Sequence, residues 1–255
     1  MTEPTRTAGL RGRKAVKPVG ERFNIGWVHS YLPAALPPPQ YPIDVSGGIT
    51  SWGMLGNGPD PTCTVRPQGV GDCTFAGRQH YRMAKAACEN EIGISWETSD
   101  QLVEEYLAYD HNQDIGANIA DLLLFWYNAG KILAFAPVDH TSRAAVDSAM
   151  QAFHGCYVGV NLTDDADQLF EQHQPWTLNG QPDPNDGHCI VKVKADAGSD
   201  TWVTWGAEQP STLDWTGACL DEAWVIISQD DANATNIDLA QLRADINALG
   251  GTGGS

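Results

Sequence analysis

The spacing of apolar positions divides the chain into two unlike halves. From Cys73 to Phe153 they recur at helical intervals. "TFAGRQHYRMAKAACEN" sets Phe75, Gln79, Met83 and Ala87 on one stripe. "SWETSDQLVEEYLAY" repeats Leu102, Val103, Tyr106 and Leu107 behind the cap candidates Ser95, Thr98 and Ser99. "ANIADLLLFWYNAGK" carries Ile119, Leu122, Leu123 and Trp126, with Gly130 as a C-terminal stop. "TSRAAVDSAMQAF" carries Val146, Ala149, Met150 and Phe153, capped by Thr141 or Ser142. From Cys156 the pattern changes to that of strands. "CYVGVNL", "HCIVKVKA", "TWVTWG" and "AWVIIS" read as strands. In "HCIVKVKA", Cys189, Val191, Val193 and Ala195 alternate with Ile190, Lys192 and Lys194. Helices first and strands afterwards predict an α+β fold in two lobes.

The rest of the chain punctuates this body. Residues 1–22 form a basic arm, residues 23–65 a Pro/Gly-rich segment ("LPAALPPPQYPIDVSGG", "GNGPDP") that wraps in extended form, residues 66–150 the helical lobe, and residues 151–230 the β lobe. Residues 231–255 hold a C-terminal helix, with Ile237, Leu242, Ile246 and Leu249 as its apolar stripe, and a flexible tail.

Charge narrows the partners. The net charge is −17, which excludes general nucleic-acid binding by the main body. The arm has six basic and two acidic residues, net +4, so the remainder carries −21. A basic arm on an acidic body suits docking onto a protein partner, as does the C-terminal helix, although a solvated terminus is the plainer reading. No apolar run is long enough to span a membrane, and the N-terminus has charge without an apolar core, so no secretory signal is expected. The six cysteines are therefore read as thiols in a reducing, cytoplasmic setting.

One cysteine stands in a different context. Cys73 opens the first long helix, after the loop "GVGD", where backbone N–H groups and the helix end stabilise a thiolate. Gln68, five residues earlier, offers a side-chain amide to an oxyanion. Cys63, Cys88, Cys156 and Cys219 read as small core residues. Among seven histidines, His29, His80, His111, His140, His154 and His173 have ordinary surroundings. His188 follows "DPNDG" and opens an alternating strand, where it can face a helix N-terminus across a lobe boundary. Paired Cys-x-x-Cys spacing is missing around Cys73, His188 and Cys189, so neither a structural zinc nor any cofactor is expected.

The order of these stretches resembles the papain-like cysteine peptidases over residues 66–228. "QGVGDCTFAG" is similar to the family's oxyanion-hole Gln and nucleophilic Cys. "TSDQLVEEY" matches its Ser-x-x-x-Leu-Val helix with Thr98 for Ser. "HCIVKVKA" matches the strand opened by its catalytic His, and "VTWG" echoes "NSWG". The resemblance implies a two-lobe fold with a β-barrel-like second lobe, a peptide or isopeptide bond in a protein as substrate, Cys73 as nucleophile, His188 as base and Gln68 as oxyanion donor. The chain departs from the family at the position whose Asn orients the His. Alignment on Trp205-Gly206 puts Val203 there, whereas counting forward from His188 puts Thr204 there. Trp205 is expected against the imidazole. The "DC" start is also similar to cell-wall endopeptidases with "DCSG", but the long interval from Cys73 to His188 suits papain-like lobes better. Gly71-Asp72-Cys73, Ala76 and His80 are similar to uncharacterised proteins of actinobacteria and their phages. That likeness implies the alternative of a catalytically weak structural or binding protein of papain fold, for example a virion component.

Overall fold

A computed structural model describes residues 25–89, 91 and 93–250. The basic arm and residues 251–255 lie outside the described residues. Among the described residues eight α-helices follow in order: α1 (Cys73–Cys88), α2 (Ser99–Tyr109), α3 (Ile119–Asn128), α4 (Arg143–Phe153), α5 (Ala166–Glu171), α6 (Leu213–Cys219), α7 (Gln229–Thr235) and α8 (Leu239–Gly250). Seven strands accompany them: β1 (Ile43–Asp44), β2 (Ala134–Val138), β3 (Cys156–Asn161), β4 (Gly187–Ala195), β5 (Ser199–Thr204), β6 (Ala207–Thr212) and β7 (Leu220–Ile227).

Local chemistry sets the helix starts. Thr98 begins α2 with a capping box: its hydroxyl accepts the Gln101 N–H while the Gln101 side chain accepts the Thr98 N–H. Asn118 caps α3 through the N–H groups of Ala120 and Asp121, and Ser142 caps α4 through that of Ala145. Helix α1 departs from the single stripe expected of it. Every residue from Cys73 to Tyr81 is buried, including Arg78, Gln79 and His80. A helix enclosed on all sides has no solvent face to give it a clean 3.6-residue signature.

The strands form one antiparallel sheet in the order β2-β7-β3-β4-β5-β6, with β1 added beside β4. The order is linear, so the sheet does not close into a barrel. Strand β2, from the short run "AFAPV", joins the sheet beside β7. Helix α4 covers the face that carries Lys192, a residue that sequence alternation alone would place outward. Lys192 is fully buried beside Asp147 of α4 and Asp200 of β5.

The Pro/Gly-rich segment ties the lobes together. Ile43 and Asp44 pair with Ala195 and Lys194, the Val45 N–H donates to the Val193 carbonyl, and Gly53 bridges Gly206. From the helical side, His80 Nε2 lies 3.0 Å from the Gly53 carbonyl oxygen. The C-terminal helix α8 turns Leu242 and Ile246 into the core of its own chain, and the Tyr31 hydroxyl donates to Asp245 at 2.6 Å. No helix among the described residues is long and apolar enough to cross a membrane.

Burial pushes the His80 imidazole down to about 4, against the pull of the Gly53 and Trp52 carbonyls. Between the ordinary His value near 6.5 and about 4, the unfolded chain takes up a proton that the folded chain refuses. The stability held above pH 6.5 therefore falls as pH drops towards 4, by about 3 kcal/mol. The raised Asp72 carboxyl works in the opposite direction, because its folded form holds a proton that the unfolded chain releases. Urea unfolding of His80→Gln against the parent, between pH 7 and about pH 4, is expected to show a shallower acid loss in the variant. An unchanged slope would remove His80 as its source.

Candidate active site

Cys73 is the first residue of α1. The first N–H groups of a helix have no intrahelical acceptor and its dipole is positive there, and both favour a thiolate. Asp72 precedes it as the N-cap residue, fully buried. Burial pushes the Asp72 carboxyl well above the usual carboxylate range against the pull of the Asn57 amide, and Asp114 and Asp60 add to the rise. The shift favours the uncharged acid, which does not repel a thiolate one residue away.

His188 is the second residue of β4 and sits opposite Val160 of β3. Its Nε2 lies 2.7 Å from the hydroxyl oxygen of Thr204, the last residue of β5. A Thr204 oxygen that accepts from Nε2–H selects the tautomer with the Nδ1 lone pair available as a base. The ring stacks on Trp205, with centroids 4.7 Å apart and planes at 28°. Trp205 in turn meets Phe170 and Trp176 edge-on at 4.9 and 6.1 Å. This aromatic wall shields one face of the imidazole from water. Trp205 and Gly206 form the two-residue turn between β5 and β6, with φ of 45° and 77°. A left-handed conformation is uncommon for a large side chain, and here it aims the indole at His188. Gly206 admits no side chain, because a Cβ would stand 3.0 Å from backbone atoms of Gly53 and Met54.

The start of α1 lies on the start of β4. The Tyr157 hydroxyl of β3 donates to the Thr74 carbonyl at 2.5 Å. Gly77 lets the helix settle closely: a Cβ there would be 3.0 Å from the Tyr157 ring and 3.2 Å from Cys189 Sγ. Burial pushes the Tyr157 phenol well above its usual value, and the Cys189 and Cys73 thiols add to the effect. The fold thus brings the Cys73 end of α1 to the strand that carries His188, and joins His188 to Thr204. Cys73 and His188 are each 1% exposed and Thr204 is 2% exposed. Val203, the other alignment for the orienting position, is a buried core residue paired with Val191. Gln68 is exposed, in the turn at residues 67–68, where the Gly69 N–H donates to the Arg66 carbonyl. Asp72 and Tyr157 had no role assigned from the sequence. The adjacency of Asp72 to Cys73 was the available signal for one, and nothing in the sequence marked the other.

All six cysteines are free of disulfides. Burial raises the thiols of Cys63 and Cys88, and pushes those of Cys156 and Cys219 up to about 12.

Solved structures share this architecture. Xylellain, a cysteine protease from Xylella fastidiosa, superposes with a TM-score of 0.59 over 89% of this chain and 99% of its own, at 12% identity. Digestive procathepsin L 3 of Tenebrio molitor larval midgut gives 0.55 over 86% and 84%, at 11% identity. The fold of the chain is therefore papain-like. No protein-family model matches the chain, and neither does the sequence of any curated protein.

Proposed function

We propose that the chain is a papain-like thiol hydrolase that cleaves a peptide or isopeptide bond in a protein substrate. The observation that carries this reading is the Thr204 hydroxyl 2.7 Å from Nε2 of His188, which stands near the start of β4, the strand against which the Cys73 helix packs. In the first step Cys73 Sγ bonds to the acyl carbon and the carbonyl electrons move to oxygen, with His188 Nδ1 holding the thiol proton. The Cys73 backbone N–H and the Gln68 amide are the candidate donors to that oxyanion. The C–N bond then breaks, and the leaving nitrogen takes the proton from His188. Water attacks the thioester with His188 as base, and the carboxylic acid leaves as Cys73 regains its thiol.

A second reading has its own support. Neither Thr204 nor Val203, the two candidates for the family's orienting position, is a carboxamide, and Cys73 and His188 are almost wholly covered. Both features suit a papain-fold binding protein with little turnover.

Alkylation by iodoacetamide near neutral pH, mapped by mass spectrometry, separates the readings. A helix-end thiolate should react on the order of 10² faster than thiols whose ionisation is raised, such as Cys63 and Cys88. Fast reaction together with cleavage of an unfolded protein substrate supports the hydrolase. Fast reaction without cleavage supports the binding protein. Equal rates at Cys73, Cys63 and Cys88 refute the nucleophile.

A further inference from the structure

At the far end of α1, an imidazole and two carboxylates converge from three elements. Glu89 caps the C-terminus of α1, His154 ends α4 in a left-handed conformation with φ 59°, and Asp231 lies in the first turn of α7. His154 Nδ1 is 3.6 Å from Glu89 Oε1 and 3.8 Å from Asp231 Oδ1. All three atoms are buried; His154 Nδ1 and Asp231 Oδ1 have no hydrogen-bond partner, and Glu89 Oε1 has only the Lys85 ammonium 3.2 Å away. They lie within 4.8 Å of one another. These separations are long for hydrogen bonds. They are close to the spacing of donors around one ion, because ligands at about 2.0–2.2 Å in a tetrahedron stand roughly 3.4 Å apart.

Asp231 gives the strongest sign of an unfilled site. It is 1% exposed. Its Oδ2 accepts the Ser228 N–H at 2.8 Å and the Lys85 ammonium, while Oδ1 points into the cluster without a partner. Lys85 Nζ also lies 3.2 Å from Glu89 Oε1. Two carboxylates face one ammonium, which leaves one negative charge for a further cation. The His154 side chain is 32% exposed and gives an approach from solvent.

We propose that Glu89, His154 and Asp231 form a binding site for a divalent transition-metal ion of the zinc class, with three protein donors and one position open beside His154. An imidazole with two carboxylates suits zinc or cobalt, whereas calcium and magnesium favour oxygen donors alone. The ion would tie α7 to α1 and α4. The 16 residues of α1 separate the site from Cys73 by about 24 Å, so its role is structural and independent of acyl transfer. Sequence spacing offered no sign of it, because residues 89, 154 and 231 come from three distant segments.

Metal titration of the full chain carrying Cys73→Ala, stripped with a chelator, tests the site without the reactive thiol. Zinc should bind at one equivalent and raise the unfolding midpoint. Cobalt should give visible d–d bands without a thiolate charge-transfer band. His154→Ala and Glu89→Gln should each weaken binding at least about tenfold. Lys85→Gln should tighten it, because the competing ammonium is gone. Absence of one-equivalent binding overturns the proposal, as does a thiolate band with cobalt or unchanged affinity in both ligand variants.

Discussion

Replacing Lys192 with methionine is expected to lower the unfolding free energy by about 3–5 kcal/mol, a large share of what a domain possesses. Lys192 is buried between Asp147 and Asp200, 2.8 Å from the latter, with its ammonium 5.4 Å from the Trp202 ring centre. Arg143 closes the quartet at 2.9 Å from Asp200 and 3.4 Å from Asp147. Tyr41 and Thr216 donate hydroxyls to Asp147 and Asp200 at 2.6 and 2.8 Å. Two cations and two carboxylates balance, so removing one cation strands a buried negative charge. The quartet as a whole need not stabilise the fold relative to apolar residues; the cost lies in breaking it. Adding Asp200→Asn to Lys192→Met should return part of the loss, and a double-mutant cycle in urea would measure the coupling. A loss under about 1 kcal/mol for Lys192→Met would mean that water reaches the charges.

Under the proposed hydrolase reading, removing the imidazole with His188→Ala is expected to lower hydrolysis by on the order of 10³ to 10⁴, because the thiol then has no base and the leaving nitrogen no acid. Thr204→Val should cost less, about tenfold, since it frees the ring to rotate without deleting it. The pH–rate profile distinguishes the two variants. Thr204→Val keeps a titrating limb, displaced from the parent's, whereas His188→Ala loses it. Equal rates in His188→Ala and the parent would exclude this residue as the base.

The order of elements was legible because each carried its own local signal. The loop "GVGD" before Cys73 announces a helix start, and the alternation in "HCIVKVKA" announces the strand that the sheet pairs on both edges. Counting from His188 led to Thr204, and the antiparallel pairing of β4 with β5 brings the two side chains within 2.7 Å. Other features depended on contacts far apart in sequence. The alternation could not show that α4 covers Lys192, and "AFAPV" is too short, with a proline inside, to read as a strand. His80 looked ordinary until the Gly53 carbonyl came to meet it. Gln68 was placed by its spacing from Cys73 and by likeness, and the turn at residues 67–68 decides where its amide points.

The long-range pairing of that wrapping segment also bears on how the protein folds. Ile43 and Asp44 wait for Ala195 and Lys194, Gly53 waits for Gly206, and the Tyr31 carbonyl accepts the Asp238 N–H. During synthesis the segment emerges long before any of these partners exist. Closing loops of this length before their contacts reward it makes for slow, late assembly. The imidazole shelf built on Trp205-Gly206 is finished only when Gly53 of the wrapping segment meets Gly206. A nascent chain that already displays Cys73 therefore still lacks the shelf on which His188 rests.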